Sequence, residues 1–97
     1  MKQENIILNK SFAFSVRIVH LYKYLCSEKK EYVLSKQLLR SGTSIGANVN
    51  EAQAAQSKND FISKMSIASK EARETKYWIE LLISTDYLKD KNHMWRA

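Results

Sequence analysis

The chain has 97 residues, 16 basic and 10 acidic side chains, and a net charge of +6. That length allows one small domain, read as residues 1–97, which buries about two-thirds of its surface and is marginally stable. At 44% hydrophobic it is too apolar for disorder, yet no window approaches the roughly 18 uninterrupted apolar residues of a membrane span.

The opening MKQENIILNK has no secretory apolar core, so a cytoplasmic protein is expected. Proline is absent and there are only two glycines, which favours long helices and an all-α fold. The charge is uneven. Residues 1–30 carry six basic and two acidic side chains, and residues 58–86 carry five of each. A basic surface attracts polyanions, nucleic acid first; the plain alternative is that it keeps a small protein in solution.

The first helix is predicted over about 10–27, with Asn9 as its N-cap. At 100° per residue, Phe14, Ile18, Leu21 and Leu25 share one side. Phe12, Val16, Val19, Tyr22 and Cys26 extend the apolar arc to roughly 200°, wider than one partner helix needs. The remaining strip holds Lys10, Arg17, His20, Lys23 and Tyr24. A second cover for this helix is expected from another subunit. Cys26 has no partner cysteine and reads as a reduced core residue.

The second helix is predicted over about 32–56, after a polar turn Lys29-Lys30-Glu31. One face carries Leu34, Leu38, Ile45, Val49 and Ala52, and the pattern runs through Gly42 and Gly46, each unfavourable in a helix by about 1 kcal/mol. Periodicity favours helix over loop here. Small residues four apart permit close backbone approach, most simply to helix 3 at Ala68, Ala72 and Thr75; a kink at Gly42-Thr43 is the alternative. The third helix is predicted over about 58–86. It opens with a capping-box pattern at Ser57 and Asp60, and Phe61, Met65, Ala68, Ala72, Thr75, Ile79 and Leu82 follow the four-three spacing of a bundle seam.

The blocks RSGTSIGANVNEA (40–52) and DFISKMSIASKEARETKYWIELL (60–82) carry a resemblance. In this order and spacing they make the chain similar to the four-helix-bundle proteins encoded by intervening sequences in bacterial 23S ribosomal RNA genes. That family is similar in turn to the accessory protein of diversity-generating retroelements. The match spans roughly residues 10–88. The resemblance implies an up-down antiparallel bundle, a ring-like homopentamer and RNA binding, and it brings no catalytic residues. It also implies a fourth helix after the third. The stretch 91–97 is too short to supply one, so a truncated member or a face filled by another subunit is expected.

Three constellations remain. Lys10, Arg17, His20 and Lys23 on helix 1, with Lys70, Arg73 and Tyr77 on helix 3, suit salt-sensitive phosphate contact with base stacking. Glu71 and Glu74 lie beside an apolar stripe and need a cation. Arg40 is the natural one, in a structural network with Asn48 and Glu51, while Gly42 and Gly46 set close packing and Trp78 anchors a subunit contact. A di-iron-type site needs Glu-x-x-His on two helices, and none exists, His20 and His93 being isolated; no metal or other cofactor is expected. "GTSIG" lacks the rest of a phosphate-binding loop, and no nucleophile has a base at readable spacing, so neither an enzyme nor a small-molecule substrate is expected. The reading is a non-enzymatic helical bundle that self-associates and binds RNA through basic stripes, with no membrane partner. A protein–protein scaffold is the alternative.

Overall fold

The structure, a computed structural model, describes residues 5–89. The expectations for His93 and for the stretch 91–97 lie outside them. Three helices form: α1 (Ile6–Ser27), α2 (Leu34–Gln53) and α3 (Lys58–Ser84).

α1 starts four residues earlier than predicted, because Asn5 and not Asn9 is the cap. The Asn5 backbone is extended and its side-chain oxygen accepts the Leu8 N–H at 3.1 Å. Its amide also donates to the Gln53 side chain at the far end of α2. Asn9 lies inside the helix, its N–H bonded to the Asn5 carbonyl at 3.1 Å. Nothing between the two asparagines breaks a helix, so the outer cap, which has a tertiary partner, wins.

Glu31 starts α2. Lys30, at φ 56°, turns the chain, and the Glu31 N–H bonds to the Leu25 carbonyl at 3.0 Å. The buried Glu31 carboxylate then accepts the N–H groups of Val33, Leu34 and Ser35 at 3.2, 2.9 and 2.7 Å. Val33, the formal cap, offers no side-chain bond. A carboxylate on three free donors at the positive end of a helix satisfies both partners.

α2 is helical without interruption through Gly42 and Gly46, and neither glycine has positive φ. α3 opens as predicted, with Ser57 Oγ accepting the Asp60 N–H at 3.0 Å. The Asp60 carboxylate reaches back to the Gln56 N–H at 3.3 Å, one residue outside the usual box. After α3 the Tyr87 and Leu88 N–H groups both bond to the Leu82 carbonyl, which folds Leu88 into the core.

α2 is the central element: α1 packs on one edge and α3 on the other, and among the described residues α1 and α3 make no close backbone approach. Ile18, Leu21 and Leu25 from α1, Leu38 from α2, and Ile79, Leu82 and Leu88 make one buried cluster. The tight contact at the glycines is with α1, which corrects the prediction of helix 3. A methyl group on Gly42 would lie 2.8–2.9 Å from three side-chain atoms of Ile18. On Gly46 it would lie 2.8 Å from Ser15 Oγ and 3.1 Å from the Ser11 carbonyl oxygen. Facing α3, α2 instead offers the buried Ser41, whose Oγ accepts from Thr75 Oγ1 at 3.0 Å. Thr75 is one of the small residues expected there. So the small residues of α2 serve both neighbours, glycines towards α1 and serine towards α3.

Candidate nucleic-acid interface

The ion pairs of the described residues centre on Arg40. Its guanidinium reaches from α2 to α3, bonding Glu71 Oε1 at 3.3 Å and Glu74 Oε2 at close range. The Trp78 indole N–H donates to the same Glu74 oxygen at 2.9 Å. Three groups hold the Glu74 carboxyl below its ordinary range: the Arg40 guanidinium first, then the Trp78 indole and, most weakly, the charge of Lys70. The bond to Glu74 in turn raises Arg40. Two members of the expected network stay outside it. Asn48 donates to the Ser44 carbonyl of its own helix at 2.9 Å, and Glu51 is exposed. Trp78 is half-buried against the chain's own core, and its ring meets Tyr77 edge-on with centroids 5.1 Å apart.

This clamp separates charge on α3. The five acids and five bases of residues 58–86 look balanced, but Glu71 and Glu74 turn to α2 while Lys70, Arg73 and Lys76 are exposed. Tyr77 stands with them at 58% exposure. Lys76 and the exposed Ser66 and Ser69 extend this face beyond the residues singled out from sequence. The three-residue spacing from Lys70 to Lys76 was the available signal.

On α1 the expected strip is looser. Lys10, His20 and Lys23 are exposed, but at 100° per residue Lys10 and Lys23 are about 140° apart. Arg17 is half-buried, and its Nε is enclosed with no hydrogen bond among the described residues. Arg17 is thus less open than Lys10, His20 and Lys23. None of Lys10, His20, Lys23, Lys70 and Arg73 forms an ion pair among the described residues.

The wide apolar arc of α1 is only partly covered. Phe12 is 69% exposed and Val16 is also exposed, while Val19, Tyr22 and Cys26 are half-buried. Cys26 Sγ lies 3.7 Å from Ser35 Oγ, and its hydrogen bond with Tyr22 is the main cause that pushes the Tyr22 hydroxyl up. Among the described residues, no group of three His, Cys, Asp or Glu is placed to hold a metal, and no helix is long and apolar enough to cross a membrane.

The model of the family described as 23S rRNA-intervening sequence protein matches residues 3–95. A crystal structure of a protein of unknown function from the S23 ribosomal protein family, from Bacteroides thetaiotaomicron, is 58% identical with a TM-score of 0.86. The likeness covers 92% of this chain and 81% of that one. No curated protein matches.

Proposed function

We propose that this chain, which belongs to the 23S rRNA-intervening sequence protein family, acts without catalysis as a self-associating helical bundle that binds RNA through its exposed cations. The observation that carries the reading is the charge separation on α3. Arg40 takes up Glu71 and Glu74, and Lys70, Arg73 and Lys76 are left facing solvent beside Tyr77. Lys10, His20 and Lys23 add positive charge from α1. Exposed cations release counterions from phosphate, so affinity should fall steeply with salt.

The uncovered Phe12 and Val16 support the self-association half of the reading, since a helix arc this wide is normally shielded. A closed homo-oligomer, such as the pentamer implied by the resemblance, would bury it. The same exposed apolar side chains favour a second reading, a scaffold for a different protein with no role for nucleic acid.

Light scattering with and without a structured RNA, at low and high salt, tests both. A discrete oligomer that gains RNA mass only at low salt is the expected result. A discrete assembly indifferent to RNA moves the conclusion to the scaffold, and a monomer in all conditions overturns self-association.

A further inference from the structure

We propose that the outer face of α3 is a site for single-stranded nucleic acid, where Lys70, Arg73 and Lys76 hold phosphates and the Tyr77 ring stacks on an unpaired base. This rests on the nucleic-acid reading above and gives it a place and a strand preference.

The three cations recur every third residue. At a rise of 1.5 Å per residue they span about 9 Å along the helix axis, enough to meet adjacent phosphates of one strand. Each step of three turns about 60° round the helix, so they trace a shallow spiral on one face and not a ring. Ser66 and Ser69 lie on that face and add exposed hydroxyl donors. Glu80 is the exposed acid of that face, one turn beyond Lys76 and about 40° round from it, so it bounds the site at that end. Glu71 and Glu74, which would repel a phosphate chain, are both engaged by Arg40 on the α2 side.

Tyr77 gives the site its strand preference. More than half of the residue is open to solvent, yet its ring is braced. The edge-on contact with Trp78 fixes one side, the Trp78 indole is tied to Glu74 at 2.9 Å, and Glu74 is tied to Arg40. An aromatic ring held in place beside cations loses little freedom when a base stacks on it. An unpaired base presents the π-face it needs, whereas the bases of a duplex are stacked on one another.

The test is fluorescence anisotropy of the full chain with a short labelled mixed-sequence RNA, single-stranded and annealed to its complement, across a salt series. The expected result is tighter binding of the single strand. Tyr77→Ala should weaken it about tenfold with the salt slope unchanged, and Tyr77→Phe should restore it. Lys70→Ala or Lys76→Ala should lower the slope by about 0.7. All three positions are exposed, so thermal melts should match that of the parent chain, which separates binding loss from unfolding. If the duplex binds as well as the single strand, or Tyr77→Ala binds as the parent does, the α3 site is wrong and general basic binding stands. If the parent chain binds neither RNA at low salt, the nucleic-acid reading itself falls.

Discussion

Gly42→Ala is the sharpest test of how α1 and α2 meet. In an isolated helix this change stabilises by about 1 kcal/mol, since alanine restricts the unfolded chain and suits the helix. Here the new methyl would come within 2.8–2.9 Å of Cγ1, Cγ2 and Cδ1 of Ile18, a side chain with no solvent exposure. Isoleucine has one strongly preferred rotamer in a helix, so Ile18 cannot swing aside and the helices must part. Overpacking of that kind costs about 1–3 kcal/mol. The balance is a net loss of about 1 kcal/mol, a fall in Tm of about 4–8 °C for a domain of this size. Melts at fixed protein concentration measure it, because association would otherwise shift Tm. The decisive arm is the Ile18→Ala background, in sulfate to keep both proteins folded. With all three opposing atoms gone, Gly42→Ala should become stabilising by about 1 kcal/mol. A substitution that stabilises in both backgrounds would refute the claim that Gly42 is kept small by Ile18.

Glu31→Ala leaves three N–H groups at the start of α2 without their acceptor and should lower stability by about 2 kcal/mol, read from the urea midpoint. A change of a few tenths would show that water replaces the carboxylate freely. Arg40→Ala should lower stability by about 1 kcal/mol, a modest figure because the guanidinium is half exposed. Arg40→Lys should recover only part of it, since one ammonium cannot bracket two carboxylates as a guanidinium does; a full recovery in the melt would count against the bracket. The Glu74 carboxyl is held below its ordinary value of 4.5 in the folded chain. Its contribution is therefore complete above that value and disappears as pH falls through the lower, folded one. Glu74→Gln should flatten that acid limb of the Tm–pH curve, and an unaltered limb would remove Glu74 from the account.

Much of the fold was legible because it follows from local pattern. The apolar spacing of Leu38, Val49 and Ala52 carries α2 through both glycines, and Ser57 caps α3 with a residue three positions away. What misled was anything decided across space. Asn5 and Asn9 are equivalent caps by local chemistry, and the choice rests on a bond to Gln53, 48 residues away. The two glycines announce a close approach without saying to what. The direction depends on which edge of α2 meets α1, and on Ser41 filling the α3 edge instead. Glu31 sat in plain view as an acid before a helix start, a signal assigned to a polar turn because the helix was begun two residues too early. On α3 the acid–base count concealed the site; only the position of Arg40 shows which charges are already spoken for.

The central position of α2 bears on how the chain acquires its structure. Since α1 and α3 touch α2 but make no close backbone approach to each other among the described residues, the helix contacts join neighbours along the chain. Such a topology has low contact order and folds fast, in microseconds to milliseconds. Two hairpins share one strip of sequence, each using a different edge of it. A lesion at the start of α2 should therefore slow the formation of both hairpins, whereas one at the far end of α1 or α3 should mainly speed unfolding.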